Sequence, residues 1–153
     1  MDVIKKKLLT ADSVSLISHS DLGIKTTDVE TGKPIYPKQL IINAQPNEKI
    51  IRQRQLLSDT SVQRLAGLVS RPLLGERAEI AKCFMPHHAI LIFKKKKVSY
   101  IDICFGCRRI QSTSDIRFSE ADFDEQKWTE LMTYFLQKGL TYELIWETTP
   151  KDN

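Results

Sequence analysis

The apolar positions of the chain fall into short runs of two kinds, and the two periods predict different elements. Val3, Ile4, Leu8 and Leu9 recur at helical spacing and predict a short helix over residues 2–9. Residues 13–19 alternate and are β-branched, bounded by Asp21 and Gly23, and predict a first strand. His19 at its end reads as an ordinary surface histidine beside a turn. Residues 20–38 carry Gly23, Gly32, Pro34 and Pro37 without periodicity, a loop long enough to move or to cover something. Residues 38–44, centred on Leu40, Ile41 and Ile42, predict a short buried strand, with Gln45, Pro46, Asn47 and Glu48 as its turn. Residues 50–57 alternate and predict another strand, with helix as the alternative.

Ser58 or Asp59 is a natural cap for a helix running to Val69, with Val62, Leu65, Ala66 and Val69 on one face. Arg71-Pro72 ends it, because proline disfavours helical geometry in the residue before it. Residues 77–84 read as a strand leading into Pro86, and residues 108–112 as a short extended piece. The strongest helical pattern spans residues 124–138, where Trp128, Leu131, Met132, Phe135 and Leu136 make one apolar stripe. Asp124 and Glu125 suit its N-terminus, Lys138 its C-terminus, and Gly139 the position just beyond. That stripe is core and not a cofactor box. Residues 142–146 read as a final strand. The sum is a single α+β domain over residues 1–153, a mostly antiparallel sheet of about five strands with two packed helices on one face.

Residues 83–107 stand out within this pattern as a β-hairpin closed by the run Lys94 to Lys97. Its register decides which side chains meet. If Phe93 pairs with Val98, His87 faces Cys104, while His88, Ile90 and Ile92 share a face with Ile101 and Ile103. A slip by one residue puts His88 opposite Cys104 and turns Ala89, Leu91 and Phe93 toward the isoleucines. Burying the isoleucines together favours the first register, with a two-residue turn at Lys95-Lys96 that lacks the usual Asn-Gly.

Composition narrows the class without naming a reaction. A chain of 153 residues with 41% hydrophobic and 27% charged positions is ordinary for a soluble globular domain. No apolar run approaches the ~20 residues that span a bilayer, so no transmembrane segment is expected. The first nine residues are basic but lack the apolar segment and cleavage site of a secretory signal. Cytoplasmic location is the default expectation, although an exported protein stripped of its signal reads the same way. The net charge is +4, with basic runs at residues 5–7, 94–97 and at Arg108-Arg109. Without the stacking aromatics of an RNA-binding sheet, these runs read as solvated faces or guarded strand edges and not as a nucleic-acid site. No partner is indicated.

All three cysteines and two of the three histidines lie at the open end of the hairpin. The spacing C-x4-H-x15-C-x2-C makes Cys83, His88, Cys104 and Cys107 a candidate structural zinc set, three thiolates and one imidazole. Against zinc, the first pair lacks a C-x2-C knuckle and a regular hairpin fills the x15 interval. A second reading is redox: Cys104 and Cys107 cycling between dithiol and disulfide, Cys83 as resolving partner, and Arg108, Arg109 and a histidine lowering the thiol pKa. A thioredoxin mechanism is not supported, because no helical stripe follows Cys107. A third reading is a cysteine–histidine nucleophile with Asp102, on the same strand face as Cys104, as its orienting group. The plain alternatives are small buried hydrophobes, a purely structural disulfide, or an inert cluster in an interaction module whose basic strands meet an acidic partner.

The run Cys83-Phe84-x-Pro86-x-His88-Ala89-Ile90, followed by Ile103-Cys104-Phe105-x-Cys107, resembles a motif of a bacterial protein family of uncharacterised function. Its members share C-F-x-P-R-H-G-[IL] and then [IV]-C-F-E-C across a hairpin of similar length. The resemblance covers about 25 residues closely and departs at His87 and Gly106, where the family has arginine and glutamate. It implies that Cys83, Pro86, His88, Cys104 and Cys107 form one unit and favours His88 over His87 as the partner of the cysteines. It implies no activity.

Overall fold

The computed structural model describes residues 2–144. Helix α1 (Val3–Leu9) is capped by the Asp2 carboxylate, which accepts from the Ile4 amide, and it buries Ile4 and Leu8. Strand β1 (Ser13–His19) follows, then two small hairpins, β2 (Thr26–Thr27) with β3 (Pro34–Ile35) and β4 (Ile41–Ile42) with β5 (Gln45–Pro46). Strand β6 (Ile51–Leu56) leads into helix α2 (Asp59–Ser70), then β7 (His88–Lys94), β8 (Lys97–Cys104), β9 (Arg109–Ser112) and helix α3 (Glu125–Gln137). One five-stranded sheet carries the fold, in the order β6-β1-β7-β8-β9, with every neighbour antiparallel. The α+β reading therefore holds, with α1 as a third helix.

Strand alternation sorts the side chains onto two faces. Val14 and Leu16 of β1, Ile90 and Ile92 of β7, and Ile101 and Ile103 of β8 pack with the apolar faces of the three helices. On the opposite face Ile17, Ala89 and Leu91 pack under Leu40 and Ile50, with Leu22 and Ile41 at the margin. The segment between β1 and β6 is thus a cover for the second face, which is why β7 is buried from His88 to Ile92 with no alternation of exposure. Helix α3 ends as the pattern predicts. Gly139 adopts φ 86° and its amide donates to the Leu136 carbonyl, while the Leu140 amide reaches back to Phe135.

The hairpin register is the one that pairs Phe93 with Val98 and His88 with Ile103. Its turn residues Lys95 and Lys96 sit at φ 50° and 63°, a left-handed geometry that costs a side-chain-bearing residue roughly 1–2 kcal/mol. The Lys95 amide offsets part of that by donating to the Asp12 carboxylate at 2.8 Å.

Four expectations are corrected. Residues 77–84 form no strand: both edges of β7 are taken, by β1 and β8, and the segment is held by isolated bonds from the Ala78 amide to Phe123 and the Ala81 amide to Cys107. The strand over 38–44 shrinks to Ile41–Ile42, and its turn falls at Asn43-Ala44 (φ 51° and 59°), two residues earlier than Gln45. His19 is not at the surface but fully buried. Of the final strand over 142–146, residues 142–144 form a turn, and Ile145 and Trp146 lie outside the described residues.

Candidate functional site

The open end of the β7–β8 hairpin lies where β8 turns into β9. Cys104 is the last residue of β8 and pairs with Arg109, so Phe105 to Arg108 make a tight connection with Arg108 at φ 56°. That turn brings Cys104 and Cys107 to a Cα separation of 5.2 Å, and their sulfurs form a disulfide. The Cys107 amide also donates to Cys104 Sγ at 3.1 Å.

Cys83 arrives on the irregular segment that crosses the strand ends. The Ala81 amide donates to the Cys107 carbonyl and the Arg109 guanidinium to the Lys82 carbonyl at 2.9 Å, which fixes the approach of the chain. Cys83 Sγ consequently sits 3.8 Å from Cys107 Sγ, as a free and exposed thiol. Cys104 and Cys107 themselves are buried. The three sulfurs share a pocket of about 310 Å³ with Met85, His87 and His88.

The two hairpin histidines point to opposite faces. His87 lies on the side away from the helices, and its Nδ1 donates to the His19 carbonyl at 3.2 Å. His88 lies on the helix side at 2% exposure, its ring 5.4 Å from Phe105 and 5.7 Å from Phe135. Among the described residues its Nε2 has no hydrogen-bond partner. Burial drives its pKa down to about 3, helped by the nearby His19 and His87, while a backbone hydrogen bond at Tyr142 pulls the other way. His88 is therefore a neutral imidazole with an open lone pair, and leaving such an atom unpaired costs roughly 1–3 kcal/mol.

His19 shows the opposite arrangement. Its Nδ1 donates to the Ser20 carbonyl at 2.9 Å and its Nε2 meets Asp102 Oδ1 at 2.8 Å, with both side chains buried. The bond spans β7 at Ala89, which pairs with Ile17 on one side and Asp102 on the other. Burial draws the His19 pKa down, but the Asp102 bond and charge, with the Ser20 carbonyl, outweigh it and leave it raised. Asp102 is also raised, because burial outweighs the opposing pull of His19.

Of the four sequence-predicted site residues, Cys83, His88, Cys104 and Cys107 all border the same pocket. Asp102 does lie on the strand face expected of it, but its partner is His19 and not a hairpin histidine, so no Cys–His–Asp triad forms through it. The arginines do not serve the sulfurs as expected. Arg108 pairs with Glu125, and Arg109 is held by the Lys82 carbonyl and Glu120. Among the described residues no group of three or more His, Cys, Asp or Glu side chains surrounds a common metal position, two of the sulfurs being bonded to each other. Among the same residues no helix is long and apolar enough to cross a membrane.

Comparison with protein-family models, with curated proteins and with solved structures finds no match to this chain.

Proposed function

We propose that the open end of the hairpin is a thiol–disulfide exchange centre built from three sulfurs. The observation that carries this reading is the free Cys83 thiol, exposed and 3.8 Å from a sulfur of the Cys104–Cys107 pair. In the internal step the Cys83 thiolate attacks Cys107 Sγ. The Cys104–Cys107 bond breaks, its electron pair leaves on Cys104 as thiolate, and a Cys83–Cys107 disulfide forms with no net oxidation. The Cys107 amide, which already donates to Cys104 Sγ, stabilises the leaving thiolate.

The exchange moves the reactive bond from buried sulfurs to an exposed one. A partner dithiol then attacks Cys83 and expels the Cys107 thiolate. Its second thiol attacks the mixed disulfide, leaving Cys83 reduced and the partner oxidised. Cys83 is thus the relay between a protected pair and the outside. The resemblance to the bacterial hairpin motif supports the grouping, since it joins the same three cysteines to His88.

Disulfide mapping tests this directly. Native protein, partly reduced by a dithiol and trapped by alkylation, should contain both the Cys104–Cys107 and the Cys83–Cys107 linkages. Cys83→Ser should show the first alone and exchange with a partner dithiol about 10-fold or more slowly. Finding only Cys104–Cys107 in the wild type, at a rate unaffected by Cys83→Ser, would rule the relay out.

A further inference from the structure

We infer that the fully reduced form of this end binds a borderline-soft divalent metal, of which zinc is the probe, through Cys83, Cys104, Cys107 and His88 Nε2, so that the disulfide gates metal binding. The inference rests on the exchange reading, because it needs Cys104 and Cys107 as separate thiolates.

Three observations carry it. The first is spacing. Two thiolates at ~2.3 Å from one tetrahedral zinc lie roughly 3.8 Å apart, and Cys83 and Cys107 already stand at 3.8 Å. The second is the histidine. A ligand nitrogen must be an unprotonated lone pair, and His88, which lines the pocket of the three sulfurs, buries its Nε2 without a hydrogen-bond partner among the described residues. The third is the turn. The amide bond from Cys107 to Cys104 Sγ is a donor placed on a sulfur that would carry negative charge only once the disulfide is open. His87 lines the same pocket and is the competing ligand, but its Nδ1 is committed to the His19 carbonyl.

The chemistry balances with an external dithiol. The dithiol gives two electrons and two protons to the Cys104–Cys107 bond and is itself oxidised to a disulfide. Zinc then replaces three thiol protons, and His88 enters neutral. Oxidation reverses the sequence and expels the metal.

The test uses the untagged full chain, oxidised or reduced with a phosphine, titrated with zinc against a chromophoric chelator and with cobalt for its spectrum, each beside a free-thiol count. Reduced protein should show three thiols and bind one metal per chain, with a cobalt spectrum typical of a tetrahedral site of three sulfurs and one nitrogen and intense sulfur charge transfer. Oxidised protein should bind none. His88→Phe should weaken zinc by more than roughly 100-fold, since losing even a second-sphere partner costs 10–100-fold; His87→Phe should not. The wild-type cobalt spectrum reads the ligand set even if His88→Phe fails to fold. Three thiols with no bound metal, or zinc bound as tightly by folded His88→Phe, would overturn the metal site and leave the exchange reading standing. One thiol that stays one under the phosphine would overturn both.

Discussion

Two histidines are buried at the same end of one sheet, and they are buried in opposite ways. His19 has a partner on each ring nitrogen, and its raised pKa reports a proton held by Asp102 and the Ser20 carbonyl. His88 keeps Nε2 without a partner among the described residues and is pushed to about 3 by burial. Burial alone therefore says nothing about role. A satisfied buried pair is how a fold pays for a polar group it cannot expose. An unsatisfied one, lining the same pocket as three sulfurs, leaves a lone pair open.

The comparison breaks most easily at Asp102. Asp102→Ala strands the His19 imidazole in the core and should cost about 3–5 kcal/mol in urea unfolding. It should also reverse a pH slope. Since the folded pKa of His19 lies above the 6.5 of an unperturbed chain, its contribution is complete below pH 6.5 and is lost as pH rises through the folded value. Without Asp102 the buried imidazole is favoured neutral, so stability should instead rise as pH climbs toward 6.5 and level off above it. A variant with wild-type stability and an unchanged slope would contradict the pairing.

Asp115 supplies a carboxylate of the opposite sign. Burial works to raise its pKa, but bonds from Ser99, Thr113 and Lys7 outweigh it and hold it well below the usual carboxylate range. Its contribution is therefore present above the unfolded value of 3.8 and lost as pH falls below it. Asp115→Asn should cost about 1 kcal/mol near neutrality, with the difference from wild type closing in acid. A difference that persists in acid would show that the side chain acts through packing instead.

The smallest effect on stability is expected at His88 itself. In the oxidised protein His88→Phe removes an orphaned nitrogen and keeps an aromatic ring against Phe105 and Phe135, so the variant should lose no stability to unfolding. A loss near that of Asp102→Ala would mean that His88 is a structural histidine like His19.

Much of the scaffold was legible because its signals are local. The Trp128-Leu131-Phe135 stripe, the Ser58 cap, the Gly139 stop and the isoleucine pairing that sets the hairpin register all act within a few residues or across one turn. Cys104 and Cys107 were legible as a pair because they flank one turn, whereas Cys83 joins them through the irregular segment held at Ala81 and Lys82. What the sequence hid was non-local. Nothing near His19 tells that its ring is fully buried and meets Asp102 two strands away. The expected strand over 77–84 failed for a similar reason, since strand propensity cannot reveal that β1 and β8 already occupy both edges of β7. The arginines beside the cysteines were misjudged because their acidic partners, Glu120 and Glu125, belong to a later part of the chain.

The central claim is that the sulfurs form one working unit and not a permanent staple. The most direct measurement is a free-thiol count on folded protein before and after a dithiol reductant, with far-UV and near-UV circular dichroism recorded on the same samples. The expected result is one thiol rising to three while both spectra persist. One thiol that never rises until the protein unfolds would contradict it, and would make Cys104–Cys107 a structural disulfide with Cys83 a bystander.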